Sequence, residues 1–440
     1  MMDLHSDNCP PSPAREFPTS GFEVIDESDI LDEERFAWFS TKTWYPVQIG
    51  EVFQDQYQVL TKIGYGTAST SWLCRDLRSH RYVVLKVYCT DTDQASRETA
   101  ALEHIESILA TPAAASHEGQ NFIRRLLDRF TISNPKAVQP ENPNICLVFK
   151  PMGMSLSDME AHSYSGDGMP IDLVKGLTMY LLAGLDFLHS QAKLIHTDIQ
   201  HGNIMFSIED ESTLDSVLEE ELKDPSPRKV HKDGHTIYKC REIITGDILF
   251  PMICDFGEAR FGKDKYEEHA MPDLYRAPEI LLHTAWNRKI DIWALGLMIW
   301  NMVEGRNLFR DSSGGRWQSA LPHMARMVSL LGPPPKHMLD ESAATDKFFD
   351  EDGNLKGGQQ LCPTSLEEEE TKLEGEEKQE FLRFIRRMLQ WDPSQRPSAR
   401  ELAADAWPQV EEGDDTDVED GDTDAEEEDD GANTEEEQDS

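Results

Sequence analysis

The nonapeptide IHTDIQHGN at residues 195–203 is the stretch from which the interpretation of this chain starts. It places Asp198 five residues before Asn203, with small or apolar residues beside both. Phosphoryl transfer uses this pairing, because a carboxylate can orient and deprotonate a hydroxyl while an amide oxygen helps to hold a magnesium ion. Short motifs of this kind also occur by chance. The interpretation therefore depends on whether the other parts of a phosphotransfer site follow in the right order.

A glycine-rich turn, GYGTAS at residues 64–69, follows the first predicted strand. Glycine lets backbone N–H groups approach phosphates closely because no Cβ intervenes. Ser69 stands where a third glycine is usual, so the turn alone also fits an ordinary hairpin. With the later motifs in place, Ile63, Gly64 and Gly66 are predicted to contact a nucleotide.

Lys86 follows Gly64 by 22 residues and lies inside the apolar run VVLKV at 83–87. A lysine in an apolar strand is costly unless its charge is used. The functional interpretation is contact with the α- and β-phosphates of ATP, with an acid on the next helix holding the ammonium group. Glu98 is the first choice for that acid and Glu103 the second. The alternative is an edge-strand lysine whose stem lies on apolar surface.

Two further motifs complete the predicted cleft. The strand at 146–149 runs into KPMG at 150–153, so Phe149 is expected at the back of the cleft. Lys150 and Met152 would offer backbone groups to an adenine. The sequence DFG at 255–257 supplies Asp255, which together with Asn203 is the predicted magnesium-binding pair.

Motifs later in the chain distinguish between the families that share the 196–203 pattern. APE at 277–279, DIWALG at 291–296 and Arg396 follow in order, and Arg396 is expected to form a buried pair with Glu279. From about residue 57 to 408 the chain resembles the eukaryotic protein kinase superfamily. Bacterial-type small-molecule phosphotransferases share the 196–203 pattern, but the later motifs argue against them. The resemblance implies ATP and Mg²⁺ as cofactors and Asp198 as the catalytic base or orienting group.

A closer resemblance is to the SR-protein kinases, which phosphorylate serines in arginine/serine-rich splicing factors. The segments that carry it are 45–51 (YPVQIGE), 66–73, 196–198, 255–260 (DFGEAR), 323–332 and 348–356. The resemblance implies a serine/threonine kinase with a basic Arg/Ser-rich protein substrate. Members of that family carry a long insert near the position of residues 150–160, whereas the insert of this chain lies between Asn203 and Asp255. The docking loop at 311–322 holds one acid where the family has several.

The periodicity of the chain predicts an α+β fold, with a β-rich N-terminal lobe at 44–149 and a helical C-terminal lobe at 150–408. An insert is expected at 207–250, and disordered segments at 1–43 and at the acidic tail 409–440. The predicted strands are 57–63, 71–76, 81–88, 122–133 and 145–149, and the predicted helices are 94–110, 171–189, 291–303, 321–331, 380–389 and 399–406.

The net charge of the 440-residue chain is −41, and residues 411–440 hold 18 acidic and no basic side chains, which leaves −23 elsewhere. Such a field favours cationic partners and disfavours nucleic acid and anionic membrane, although it equally serves solubility. Seven scattered cysteines without a C-x-x-C pair indicate neither a disulfide framework nor a zinc site. Since the N-terminus lacks a secretory pattern, we expect the protein in cytoplasm and nucleus. We also expect a monomer with no direct nucleic-acid or membrane contact.

Three residues depart from the usual kinase pattern. Thr197 replaces the arginine that binds an activation-loop phosphate in many kinases, and residues 255–279 contain no Ser or Thr. These two losses together predict activity without phosphorylation of that loop. Gln200 replaces a lysine that commonly reaches the γ-phosphate, and Ser71 replaces a valine that covers the adenine. Gln200 is still assigned to the catalytic set, but these two changes leave a pseudokinase scaffold, with little turnover, as the alternative.

Overall fold

A computed structural model describes residues 10–90, 92–134, 136, 141–164, 166–208, 210–243, 250–309, 320–356 and 364–409. The predictions made for the acidic tail, apart from residue 409, and for most of the docking loop at 311–322 lie outside the described residues. The two-lobed α+β architecture is confirmed, with a β-rich first part followed by a helical second part.

The N-terminal lobe is built on one antiparallel six-stranded sheet with the order β1-β2-β3-β4-β6-β5. Most strand positions are buried, as the short apolar runs of the sequence predict. Helix α1 packs on this sheet with Ala101, Leu102 and Ile105 on its buried face. The elements are β1 (Val52–Phe53), β2 (Tyr57–Tyr65), β3 (Ser69–Asp76), β4 (Arg81–Tyr88), α1 (Gln94–Leu109), α2 (Pro112–Ala115), β5 (Leu126–Ile132) and β6 (Asn144–Phe149).

The C-terminal lobe surrounds α7, a helix that is buried on nearly every side and therefore lacks a polar face. Gly305 ends it in the left-handed conformation, with φ 67°. Among the described residues no helix combines the length and apolarity needed to cross a bilayer. The helices are α3 (Leu156–Met159), α4 (Ile171–Asp186), α5 (Ser212–Lys223), α6 (Pro278–Leu281), α7 (Lys289–Glu304), α8 (Ala320–Leu331), α9 (Lys336–Glu341), α10 (Thr345–Phe348), α11 (Leu366–Glu369), α12 (Gly375–Met388) and α13 (Ala399–Ala403).

Short strands of this lobe position the loops of the cleft. Strand β9 pairs with β12 on one side and β7 on the other, and β13 pairs with β8. One predicted strand is shorter than expected: 122–133 becomes β5, because residues 118–122 form a 3₁₀ turn. The strands are β7 (Met152–Ser155), β8 (Leu194–Ile195), β9 (Ile204–Ser207), β10 (Arg228–Val230), β11 (Thr236–Tyr238), β12 (Pro251–Ile253) and β13 (Arg260–Phe261).

The expectation of disorder across 1–43 is wrong where the described residues 10–43 contact the N-terminal lobe: the backbone N–H of Ser12 donates to the carbonyl of Leu77, and that of Arg15 donates to Oε1 of Gln58. Lys62 on β2 has a fully buried side chain, and its ammonium group binds Asp32 at 3.0 Å, Glu33, and the backbone carbonyl of Tyr238 at 3.0 Å. A buried ammonium group is costly unless it is paired and hydrogen-bonded. Asp32 and Glu33, which belong to the segment expected to be disordered, therefore neutralise the charge of Lys62.

The insert at 207–250 also folds back onto the N-terminal sheet. Its helix α5 packs Leu214 and Leu218 into one apolar cluster with Leu60 and Leu73. The buried carboxylate of Glu221 accepts a hydrogen bond from the hydroxyl of Thr61 at 2.9 Å. The helix is followed by the hairpin of β10 and β11. The insert leaves the C-terminal lobe through β9 and thereby joins the two lobes outside the main connection.

Candidate active site

A cleft of about 700 Å³ opens between the sheet and the helical lobe. The glycine-rich turn, β3 and β4 cover it from one side, and the loop that carries Asp198 bounds it on the other. Its walls include most of the residues predicted to contact a nucleotide. Five of these residues line it, Ile63, Gly64, Gly66, Lys86 and Met152, together with Ser71, Val84, Asn203 and Asp255.

Lys86 lies at the centre of an ion-pair group inside this cleft. Its Nζ is 2.8 Å from Oε2 of Glu98 on α1 and 3.2 Å from Oδ1 of Asp255. Burial alone would lower the pKa of Lys86, but the carboxylates of Asp255 and Glu98 outweigh burial and raise it. Glu103, the second choice, instead pairs with Arg129 at the surface. The structure thus holds a charged ammonium group where phosphates would enter.

Two amide groups hold the carboxylate of Asp198. Nδ2 of Asn203 donates to Oδ2 at 2.7 Å, and Nε2 of Gln200 donates to Oδ1 at 2.8 Å. Burial raises the pKa of Asp198 to about 6, and the hydrogen bonds from Asn203 and Gln200 limit that rise. A carboxylate that is oriented and has a raised pKa is suited to accept a proton near neutral pH.

The backbone around Asp198 is anchored to the buried helix α7. The carboxylate of Asp291 accepts from the backbone N–H of His196 and from that of Thr197, both at 2.8 Å. Thr197 has φ 67°, a left-handed conformation that is uncommon for a threonine. These two hydrogen bonds support that conformation, so the motif DIWALG explains how the nonapeptide keeps its shape.

Asn203 and Asp255 provide oxygen atoms suited to Mg²⁺. The amide nitrogen of Asn203 is occupied by Asp198, whose backbone carbonyl and Oδ2 it reaches at 2.8 and 2.7 Å, so its oxygen is left for another partner. The side chain of Asp255 is 45% exposed and lines the same cleft. Carboxylate and amide oxygens are typical Mg²⁺ ligands. Within the described ranges no group of three or more His, Cys, Asp or Glu side chains could hold a metal. Mg²⁺ takes about six oxygen ligands, so phosphate and water oxygens would complete its coordination at Asn203 and Asp255.

The predicted adenine contacts are only partly placed at the cleft. Met152 lines it, whereas Phe149 packs in the core and the side chain of Lys150 is exposed. The carbonyl of Lys150 accepts from Nη2 of Arg124 at 3.4 Å, and the Arg124 guanidinium lies 4.4 Å from the ring of Phe149. Arg124 itself lines the cleft, which its position in the sequence did not indicate.

The insert contributes a wall that sequence reasoning missed. Cys240, Glu242 and Ile243 line the cleft after the β10–β11 hairpin. The backbone N–H of Arg241 donates to the carbonyl of Lys62 at 2.8 Å, just before the glycine-rich turn. No local pattern in the sequence marks this return, because the contact joins residues far apart along the chain.

The segment after Asp255 is tied to helix α1 without a phosphate. The hydroxyl of Thr197 donates to the carbonyl of Glu258 at 2.6 Å. The carboxylate of Glu258 in turn accepts from Gln94 and Arg97 on α1, each at 2.8 Å. Tyr266, a hydroxyl-bearing residue of this segment, is buried. The arrangement holds the Lys86–Glu98 pair in place through ordinary hydrogen bonds.

His201 links the loop of Asp198 to the following segment. Its Nδ1 lies 2.7 Å from the hydroxyl of Tyr275, which is also buried. Burial lowers the pKa of His201 to about 4, so the ring is neutral and Tyr275 can donate to it. The second nitrogen, Nε2, lies 3.3 Å from a carboxylate oxygen of Glu160.

Comparison with known proteins agrees with this geometry. The protein kinase domain model matches residues 57–408. A serine/threonine protein kinase of Aspergillus fumigatus is 38% identical over 406 residues, which cover 90% of this chain and 95% of that protein. The serine/threonine-protein kinase SRPK of Physarum polycephalum is 28% identical over 403 residues, covering 86% and 92% of the two chains. SRSF protein kinase 3 of Mus musculus is 23% identical, covering 86% and 91%.

Among solved structures, the crystal structure of a kinase domain superposes with a TM-score of 0.63. The match covers 83% of this chain and 99% of the other at 23% identity. At that level of identity the likeness shows the fold alone.

Proposed function

The chain belongs to the protein kinase family and is a serine/threonine protein kinase, and from that premise we propose that it phosphorylates serines of arginine/serine-rich proteins, with ATP and Mg²⁺ as cofactors. The observation that carries the chemistry is that Lys86, Asn203 and Asp255 line one cleft while Asp198 is hydrogen-bonded to Asn203. Transfer of phosphate from ATP to an Arg-Ser repeat peptide is the experiment that tests the proposal.

Three features support a basic substrate. Outside the last 30 residues the chain still carries a charge of −23, which attracts cationic peptides. Carboxylates pair with guanidinium groups through two parallel hydrogen bonds, so an acidic surface favours arginine. Two of the relatives are named as SRPK and SRSF protein kinases.

The residues of the cleft divide the work of phosphoryl transfer. Lys86, held by Glu98, supplies positive charge for the phosphates. Asp198 accepts the proton of the attacking hydroxyl and orients it. Asn203 and Asp255 are the proposed ligands of Mg²⁺, which neutralises phosphate charge when it is bound. Gln200 supplies no charge, and its contribution is the hydrogen bond that orients Asp198.

The pseudokinase alternative gains no support from this geometry. Gln200 donates a hydrogen bond to the carboxylate of Asp198 and so helps to orient it. Ser71 is only one of many residues that line the cleft. The Lys86–Glu98 pair and the Asp198–Asn203 pair are both formed. We therefore treat turnover as the function to be tested.

The kcat/KM for peptide phosphorylation is expected to rise with pH through about 6 and to level off above it. Asp198 accepts a proton only when it is ionised, and burial raises its pKa to about 6. Below that value the activity should fall by about tenfold for each pH unit. Steady-state rates between pH 5 and 8 provide the measurement, with nucleotide affinity measured over the same range to separate protonation of ATP. A flat profile down to pH 5 would contradict the role of Asp198.

We also propose that the kinase needs no activation-loop phosphate. Thr197 and Glu258 already join the catalytic loop to the segment that carries Asp255. Bacterially expressed protein treated with a phosphatase should keep its full activity, and Tyr266→Phe should change kcat less than about twofold, because a buried hydroxyl cannot serve as the acceptor. Activity that appears only after treatment with another kinase would refute this idea.

A further inference from the structure

A second cavity, of about 290 Å³, adjoins the nucleotide cleft, since residues 157–164 contribute side chains to both. One wall is the turn after α3, which carries Glu160, and the opposite wall is the end of α7, with Asn301 and Met302. Three of the ten lining residues are glycines, Gly166, Gly168 and Gly305. The cavity is large enough for the end of one long side chain.

The cavity is joined to the reaction centre by direct contacts. Oε1 of Glu160 lies 3.3 Å from Nε2 of His201, which is three residues from Asp198 along the loop. The other nitrogen of His201 contacts the hydroxyl of Tyr275, in the segment that follows Asp255. A peptide must place its acceptor hydroxyl at Asp198, and an extended chain advances about 3.3 to 3.6 Å per residue. A side chain a few residues from the acceptor therefore comes within reach of this cavity.

The carboxylate of Glu160 lines the cavity and is suited to bind a cationic group. Oε1 of Glu160 faces the ring of His201, and among the residues that the structure describes no Lys or Arg pairs with it. With its amide turned to satisfy its neighbours, Asn301 donates to Oε1 of Glu160 at 3.0 Å, so the acid is oriented but not neutralised. Burial raises the pKa of Glu160 to about 7, and a bound cation would lower that pKa again.

The walls are rigid, which suits a specific ligand. The backbone N–H of Met169 donates to the carbonyl of Met302 at 2.7 Å. A Cβ at Gly168 would lie 2.0 Å from the carbonyl oxygen of Val303, so that loop packs on α7 as closely as only glycine permits. Little ordering of the protein is then needed when a ligand binds.

We propose that Glu160 and Asn301 form a subsite for an arginine side chain of the peptide substrate, near the serine that is phosphorylated. The proposal rests on the proposed function, which it deepens. Arginine fits better than lysine, because its planar guanidinium has five donors for the carboxylate and for the backbone carbonyls of the rim. Glu160 thereby becomes a residue that selects the substrate without taking part in the chemistry.

The test is a double-mutant cycle between protein and peptide. A serine peptide with several arginines is compared with variants in which one arginine at a time becomes citrulline, which keeps the shape and removes the charge. For wild-type protein, citrulline at one of the arginine positions should lower kcat/KM by about 30-fold, mainly by raising KM. Glu160→Gln should lose a similar factor on the parent peptide and should no longer distinguish that position. Asp167→Asn, which removes one charge from an exposed neighbour, should behave as wild type.

Two outcomes would overturn the subsite. One is Glu160→Gln retaining the wild-type preference at every arginine position. The other is a drop in kcat of equal size on Arg-rich peptides and on a serine peptide without arginine, which would show that Glu160 only positions His201. The citrulline series uses only wild-type protein, so its result does not depend on whether a variant folds. If no citrulline substitution lowers kcat/KM for the wild-type protein, the subsite is also refuted. If the wild-type protein phosphorylates no Arg/Ser peptide, the proposed function fails, whereas failure of the cycle alone removes only the subsite.

Discussion

Replacing Asp198 by asparagine is expected to lower kcat by about 10³-fold while nucleotide affinity stays nearly unchanged. Asparagine has the same size but cannot accept the proton of the attacking hydroxyl. Its amide also has one oxygen where the carboxylate presents two to Asn203 and Gln200, so one of the two hydrogen bonds at 2.7 and 2.8 Å is lost. Steady-state phosphorylation of an Arg-Ser peptide measures kcat, and calorimetric titration measures nucleotide binding.

A matched control removes an acid from the surface of the N-terminal lobe. Glu103→Gln changes a surface carboxylate that pairs with Arg129, and it should alter kcat by less than about twofold, as exposed pairs contribute little. If Asp198→Asn and Glu103→Gln were equally active, Asp198 would not be the catalytic base.

Replacing Arg396 by methionine is expected to reduce the free energy of unfolding by about 3 to 5 kcal/mol. The Arg396 side chain is fully buried, and its two terminal nitrogens donate to the two carboxylate oxygens of Glu279, both at 2.7 Å. Its Nε donates to the carbonyl of Gln390 at 2.8 Å. Loss of the guanidinium leaves Glu279 as a buried, unpaired charge, which is the main cost. Urea unfolding followed by tryptophan fluorescence gives the free energy.

Two comparisons isolate the buried charge as the cause. The double variant Arg396→Met with Glu279→Leu should be more stable than Arg396→Met alone, because it leaves no orphaned carboxylate. Arg400→Met breaks a pair with Asp186 in which the arginine is 67% exposed, and it should cost less than about 1 kcal/mol. A loss below about 1 kcal/mol for Arg396→Met would show that the pair is not a structural anchor of this lobe.

Much of the reaction centre could be predicted because its residues lie in short motifs with fixed spacing. The buried pair between Glu279 and Arg396, 117 positions apart, was expected from two such motifs and is present. Glu98, the first choice for the acid that holds Lys86, lies 2.8 Å from its ammonium group. In each case a functional or buried charge demands a particular partner, and few residues of the right sign lie in the right element.

The N-terminal segment and the insert could not be placed from the sequence. Lys62 finds its partners at Asp32 and Glu33 and at the carbonyl of Tyr238, which is 176 positions away. Acid-rich composition suggested solvated chain, and it does not reveal a buried lysine elsewhere that needs those acids. One signal was present in the insert: Leu214, Val217 and Leu218 follow helical spacing and predict a buried face. The surface that receives that face was not predictable.

Phosphorylation of Arg/Ser-rich proteins without an activation-loop phosphate is tested most directly by transfer of labelled γ-phosphate from ATP to an Arg-Ser repeat peptide by phosphatase-treated protein. Parallel reactions use Asp198→Asn protein and a peptide in which lysine replaces every arginine. We expect phosphoserine in the Arg-Ser peptide with wild-type protein, much less in the lysine peptide, and almost none with Asp198→Asn. Nucleotide binding without any transfer, or equal labelling by the two proteins, would contradict this expectation.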